Sequence, residues 1–309
     1  MPELKPVRMI AIDMDGTLLA PEGHVSPRNL AALQAAASTG IEIVIATGRR
    51  HCYAMRQLRG LGLAEENALI SSNGTVVRTI GAKLLERQVM QTETARWLCG
   101  HIDEFRDALV ITFDKVGSDG EDARGALVVE HLDELNASIG RWMAANEPYI
   151  AHVAPIEDAL RGEAPIQMML CGPMERMRRA EARLLEHPGV SAAGVAPQEH
   201  TAETEITLHR TEYPARNLSI VDILPAGCSK GAALLRLAAG KGIDPSEILA
   251  IGDNWNDVSM LEIAGRSVLM ANAPDDLKGT AIARGWTIGL RHDEDGVADA
   301  IEPLLARLQ

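Results

Sequence analysis

The chain has 309 residues, 46% hydrophobic and 24% charged, ordinary proportions for a soluble globular protein of one large or two ordinary domains. A net charge of −13 and a pI of about 5.2 argue against nonspecific nucleic-acid binding, and an aromatic content of 3% leaves little for stacking on bases. No apolar run approaches the ~20 residues of a membrane helix, and the first is too short for a signal peptide, so a cytoplasmic protein is expected.

Four cysteines, Cys52, Cys99, Cys171 and Cys228, form no C-x-x-C pair and read as reduced and structural. From the amino terminus, Val7 to Ile12 has the pattern of a buried strand, short, Ile/Val-rich and ended by a turn signal. It opens into Asp13-Met14-Asp15-Gly16-Thr17. In an extended segment residues two apart share a side, so both carboxylates can face one small volume. Burying them is costly unless a cation or ligand neutralises them. Ser26 is a suitable N-cap, with Pro27 in the first turn, for a helix through about Ser38 that Gly40 ends. Ile41 to Ala46 is a second buried strand, finishing at Thr47-Gly48-Arg49. After a helix of about a dozen residues comes a short strand, Ala68 to Ser71, then a turn at Asn73-Gly74 with a hairpin around Thr75 to Leu85. This alternation predicts a parallel sheet with crossover helices.

From about Leu84 the rhythm changes. Helical stretches at Thr92–Asp107, Glu134–Asn146 and Met174–His187 interleave with strand-like runs at Ala108–Phe113, Ala126–Val129, Ile166–Cys171, Thr204–Leu208 and Leu218–Ile223. These suit a small α/β domain inserted into the first. At Lys230 the crossover pattern resumes. A helix opens at Ser229-Lys230-Gly231, a buried strand, Ile248 to Ile251, ends in Gly252-Asp253-Asn254-Trp255-Asn256-Asp257, and a strand at Ser267–Met270 and a closing helix from about Val297 follow.

Three predicted strands therefore end in polar residues at the edge where open α/β sheets bind ligands: Asp13 and Asp15, Thr47, and Asp253 with Asn256 and Asp257. Lys230 adds a cation at a helix N-terminus, where free N–H groups already favour an anion. Carboxylates suit a hard cation, most plausibly Mg²⁺, while the hydroxyl, the lysine and the N–H groups suit a phosphate. Holding both is the requirement of phosphoryl transfer. Each element also has a plainer reading: a solvated Asp-Gly turn, a helix cap at Thr47, a solvated Lys230, dipole-stabilising carboxylates at Asp253 and Asp257. Arg49, Arg50 and His51 read as a solvated basic face, and no histidine spacing suggests zinc.

The motifs D-M-D-G-T at 13–17, T-G-R at 47–49, S-K-G at 229–231 and G-D-N-W-N-D at 252–257 resemble, in order, the four motifs of the haloacid dehalogenase superfamily. The insert between the second and third, with N-A at 272–273 and D-G-V at 295–297, is similar to the Cof-type sugar-phosphatase branch. The resemblance implies a doubly wound (Rossmann-like) α/β core at residues 1–83 plus 219–309 and an inserted α/β cap at 84–218 that selects the substrate. It implies Asp13 as a nucleophile forming an aspartyl-phosphate, and Asp15 as the general acid and base. Mg²⁺ would be held by Asp13, the Asp15 backbone carbonyl and Asp253, with Asp257 supporting it from behind. Thr47, the Gly48 N–H and Lys230 would hold phosphoryl oxygens, and Asn256 would bond the phosphate or Lys230. The implied reaction is hydrolysis of a small phosphate monoester, a sugar phosphate by preference, with no nucleic-acid or membrane partner. A phosphomutase or phosphotransferase on the same site and a non-catalytic phospho-ligand sensor are the alternatives. Nothing in residues 84–218 names the side chains that select the substrate, and no segment specifies an oligomeric state.

Overall fold

Short runs of Ile, Val and Ala, apolar toward both faces, are suited to the middle of a sheet covered on each side. In the computed structural model, which describes residues 5–117, 119–192 and 204–306, the first such run, Met9–Asp13, is buried along its whole length. It pairs in parallel with Glu42–Ala46 on one side and Ile248–Gly252 on the other. Arg266–Leu269 and Thr287–Ile288 extend the sheet in parallel beyond Ile248–Gly252, and Ala68–Ser71 extends it beyond Glu42–Ala46. Val76–Thr79 then turns back antiparallel, and Leu84–Arg87 forms the edge of an eight-stranded sheet.

Strand alternation divides the core into two layers. Ile10, Ile12, Ile43 and Ile45 meet Leu33 and Ala36 of the helix Pro27–Ser38, and Val297 and Ile301 of the helix Gly296–Leu305. Met9, Ala11, Val44 and Ala46 face the other way, onto Ala233 and Leu234 of the helix Lys230–Gly240, Met260 and Leu261 of Val258–Ile263, and Leu277 of Asp275–Arg284. Helices on both faces of a mostly parallel sheet make this the expected doubly wound α/β core.

The chain divides into two compact units, Met1–Glu86 with Ser229–Gln309, and Arg87–Cys228. The second contains a seven-stranded mixed sheet ordered Val190–Ala192, Ile206–Tyr213, Leu218–Pro225, Gln167–Gly172, Leu109–Thr112, Leu127–Val129, Ile150–His152. Leu98 of Thr92–His101 and Met177 of Met174–Leu185 pack on one face with Ile111, Met168, Val221 and Ile223; Leu135, Ile139 and Met143 of Asp133–Asn146 pack on the other with Val110, Met169 and Cys171. The expected boundary at 218/219 is displaced. Leu218–Pro225 pairs antiparallel with Ile206–Tyr213 and Gln167–Gly172, so residues 219–228 lie in the second unit, and the amino-terminal break falls after Glu86 rather than Lys83. An apolar run announces a strand but not the sheet that will accept it. All four cysteines are free and buried, and among the described residues no helix is long and apolar enough to cross a membrane.

Leu170 is fully buried in the second unit's core, so Leu170→Ala is expected to cost about 2–5 kcal/mol of that unit's stability, read as a lower urea midpoint.

Candidate active site

The strand Met9–Asp13 ends at its first aspartate, in register with Ala46, so Thr47 begins the loop beside it; Ile12 is in register with Ile251, two residues before Asp253. Sheet register alone thus gathers three loops at one edge. The fourth contribution is the helix that opens at Lys230. The Ser229 hydroxyl caps it by accepting the Ala232 N–H at 3.0 Å, placing Lys230 in the first turn with 0% of its surface exposed.

The buried ammonium donates to Asp13 Oδ1 at 2.5 Å and to Asp257 Oδ1 at 2.6 Å. Asp257 Oδ2 accepts the N–H groups of Asp253 and Asn254, at 2.9 and 3.0 Å, so both its oxygens are committed. Its loop closes this tightly because residue 252 is glycine: a Cβ there would lie 2.6 Å from that of Asp257. Asp253 accepts from the Thr17 hydroxyl at 3.1 Å and from Asn272 Nδ2 at 3.3 Å. Gly16, at φ +85°, lets the aspartate loop turn directly under that carboxylate; any side chain would collide with it.

Carboxylate oxygens of Asp13, Asp253 and Asp257 lie within 4.8 Å of one another. Burial, then the charge of Asp257, push Asp13 up to about 7 against the pull of Lys230. Asp253 is also raised, by burial and by the charge of Asp13. Burial pulls Lys230 down, but Asp13 and Asp257 outweigh it and hold the lysine above its usual range. Three carboxylates against one lysine leave the ionised cluster two charges short of neutral. That donor set and that deficit fit a hard divalent cation.

Asp15 lies beyond the strand, in a turn, and its carboxylate is directed elsewhere, although its charge still reaches Asp13. Both of its oxygens are taken by Arg49, at 2.5 and 2.7 Å, and Arg49 Nη1 donates to Gln57 Oε1 at 2.7 Å. The expectation of a solvated basic face is therefore corrected. The Arg49 side chain is 17% exposed, and Arg50 and His51 are buried. Thr47 does not cap the helix His51–Leu58, which begins after Arg50; its hydroxyl accepts the Arg49 N–H at 3.1 Å and shapes the loop. Asn256 Nδ2 donates to Asn73 Oδ1 at 3.0 Å, and a Cβ at Gly48 would meet the same Asn73 amide at 3.3 Å.

The structure thus joins Asp13, Lys230, Asp253 and Asp257 through direct contacts, with Thr47, Gly48 and Asn256 on the adjoining loops and Asp15 held by Arg49. Sequence reasoning did not single out Thr17, Arg49, Asn73 or Asn272 as members. Asn272 bonds the Gly16 carbonyl at 2.8 Å as well as Asp253. Asn73 and Asn272 follow the strands Ala68–Ser71 and Arg266–Leu269, so the rule that located Asp253 could have located them.

A model of the haloacid dehalogenase-like hydrolases matches residues 10–301. The chain is 30% identical over 317 aligned residues to 5-amino-6-(5-phospho-D-ribitylamino)uracil phosphatase YwtE of Bacillus subtilis, covering 97% of this chain and 99% of that protein. It is also 30% identical to phosphatase YwpJ of the same organism, covering 97% and 100%. A 31% match to the chloroplastic endoribonuclease YBEY of Arabidopsis thaliana takes in 94% of this chain but only 45% of that protein. Among solved structures, SMU.1108c of Streptococcus mutans superposes with a TM-score of 0.73 at 21% identity, covering 97% and 99% of the two chains. The subclass IIB sugar phosphatase BT4131 does so with 0.71 at 22%, covering 96% and 98%. Matched from its first aspartate loop to its last helix, this chain belongs to the haloacid dehalogenase-like hydrolases, and it is an enzyme of that family.

Proposed function

We propose that the enzyme hydrolyses a small phosphate monoester, a sugar phosphate by preference, with Mg²⁺, through a phosphoryl group carried on Asp13. The observation that carries this reading is the Asp13 carboxylate, buried, 2.5 Å from Lys230 and within 4.8 Å of two further carboxylates. A carboxylate fixed in this way, shielded from water and beside a cation that can also hold a phosphoryl oxygen, is suited to attack phosphorus. The relatives named above, a phosphatase of a ribityl phosphate and a sugar phosphatase, favour the same class.

Mg²⁺, when bound, would screen the carboxylates from the anionic ester and polarise a phosphoryl oxygen. Asp13 and Asp253 would hold it with the Asp15 carbonyl, since Asp257 already gives both oxygens to Lys230 and the loop amides. Asp13 forms a bond to phosphorus as the bond to the alcohol oxygen breaks, and Asp15 delivers a proton to that oxygen. Water then attacks phosphorus, Asp15 takes up its proton, and inorganic phosphate leaves as the Asp13 ester opens. Thr47, the Gly48 N–H, Lys230 and Asn256 hold the phosphoryl oxygens. Because Arg49 occupies both oxygens of Asp15, one must be released before proton transfer. The second unit would serve as the cap that selects the leaving alcohol.

Phosphate release from a panel of sugar phosphates should require Mg²⁺, stop with EDTA, and fall on the order of 10³-fold or more in Asp13→Asn and Asp15→Asn. A phosphorylated alcohol as product would identify transfer instead, and no release by folded, Mg²⁺-loaded wild type would reject the reading.

A pH prediction follows from the raised carboxyls. Folded Asp13 keeps its proton up to about 7 while the unfolded chain loses it near 3.8, so the metal-free protein should lose stability as pH rises across that interval. Mg²⁺ should therefore raise the melting temperature more at about pH 8 than at about pH 5, where protons compete for the same oxygens. An equal shift at both would contradict carboxylate ligation. Lys230→Met leaves Asp13 and Asp257 buried without their cation, and should cost about 3–5 kcal/mol near neutral pH in urea titrations, less in acid.

A further inference from the structure

We infer that Asn272 is a positioning residue for the Asp253 carboxylate: its amide fixes Asp253 against the aspartate loop and so sets how tightly the acidic cluster holds its cation. The inference rests on the Mg²⁺ site of the reading above.

The backbone brings Asn272 to the active edge. It lies in the turn after Arg266–Leu269, which the Met270 N–H ties to the Gly252 carbonyl at 2.9 Å and the Ala271 N–H ties to the Leu290 carbonyl at 3.2 Å. That turn is thus bonded on one side to the residue before Asp253 and on the other to the segment leading to the last helix, Gly296–Leu305.

Two contacts decide which way the amide faces. Its oxygen accepts the His292 N–H at 3.0 Å, and its nitrogen donates to the Gly16 carbonyl at 2.8 Å. A backbone N–H only donates and a carbonyl only accepts, so exchanging the amide's oxygen and nitrogen would break both bonds. The second N–H of the same nitrogen is then directed to Asp253 Oδ2, 3.3 Å away. With the Thr17 hydroxyl on Oδ1 at 3.1 Å, each oxygen of Asp253 is held by one donor and keeps a lone pair for a metal ion. Both donors are neutral. Lys230 offsets the charge of Asp13 and Asp257, whereas an amide and a hydroxyl orient Asp253 without cancelling the negative charge that attracts a cation.

His292 supports the same loop at its other end. Its ring Nδ1–H donates to the Leu19 carbonyl at 2.8 Å, since a carbonyl only accepts. The two contacts of His292 are separable. It holds Asn272 through its backbone N–H and Leu19 through its side chain, so removing the ring leaves the Asn272 amide anchored.

The test is calorimetric titration of EDTA-stripped protein with Mg²⁺, using wild type, Asn272→Leu, Asn272→Ala and His292→Ala, each checked by thermal melting. Leucine fills the volume of the amide without supplying a donor. Both Asn272 variants should bind Mg²⁺ about 10–100-fold more weakly, as the loss of a group that orients a metal ligand does. His292→Ala, which loses only the Leu19 bond, should bind Mg²⁺ as wild type does. In phosphate release from the best sugar phosphate of the panel, the Asn272 variants should need correspondingly more Mg²⁺ and recover most of the wild-type kcat once it is saturating. Wild-type Mg²⁺ affinity in a folded Asn272→Leu, or in Asn272→Ala if the leucine variant does not fold, overturns the inference. So does an equal loss in His292→Ala, which would make the effect a general loosening of the loop, and so does a kcat that saturating Mg²⁺ does not restore. Failure of wild type to bind Mg²⁺ rejects the metal site and this inference together. Mg²⁺ binding without hydrolysis of any ester rejects the phosphatase reading alone, and the calorimetry still decides the role of Asn272.

Discussion

Everything at the active edge depends on one ammonium group with no access to water. Lys230 sits between Asp13 and Asp257, and neither the lysine nor either carboxylate could be buried alone. The cost of desolvating three charged groups is met only where several backbone segments deliver their partners within hydrogen-bond distance. The Ser229 cap fixes where the helix starts, the turn of the Asp253 loop fixes Asp257, and the central strand fixes Asp13. Removing any one leaves the others in a medium that cannot support them. This is why so much local chemistry is spent on short loops: Asn254 and Asp257 cap each other's turn, and Asn272 ties the Gly16 carbonyl to the same neighbourhood.

The arrangement also explains why the central strand stops at Asp13. A parallel sheet covered by helices on both faces has a dry interior, and a carboxylate one residue deeper, in place of Ile12, would face the layer of Ile10, Ile43 and Ile45 rather than a cation. At the carboxyl edge the helix N-termini supply N–H groups and positive dipole ends, so polar side chains can be gathered there. Register then does the assembly. Asp13 beside Ala46 and Ile12 beside Ile251 bring together residues more than 200 positions apart.

That edge is what the sequence exposes. Apolar runs ending in Asp13, Thr47 and Asp253 can be found without coordinates because strands end where polarity begins, and Ser229-Lys230-Gly231 signals a helix start by its capping residue. Uncharged Asn73 and Asn272 occupy equivalent positions but pass as turn formers, since nothing local says that Asn73 will accept from Asn256, 183 residues away. Arg49 shows the opposite limit. Three consecutive basic residues look like a solvated face, and only tertiary structure turns Arg49 onto Asp15. Leu218–Pro225 marks a third limit: its hydrophobicity predicts a strand, but whether it joins the first sheet or the second depends on partners elsewhere in the chain.

Asp13 and Asp15 are the same residue type two positions apart, and the end of one strand separates their environments. Asp13, the last residue of Met9–Asp13, is buried against a lysine and pushed up to about 7 by burial and by Asp257. Asp15, in the turn beyond, has a side chain 39% exposed and pairs with a guanidinium anchored by Gln57. A nucleophile has to be fixed and shielded, whereas a group that carries a proton out to an alcohol and back from water has to reach solvent and move. Fully buried, Asp15 could not exchange its proton; if Asp13 were as exposed as Asp15, it would be solvated and a weak nucleophile. The proposed division of labour therefore follows from where the backbone stops being a strand, and Arg49 is the side chain that holds Asp15 there.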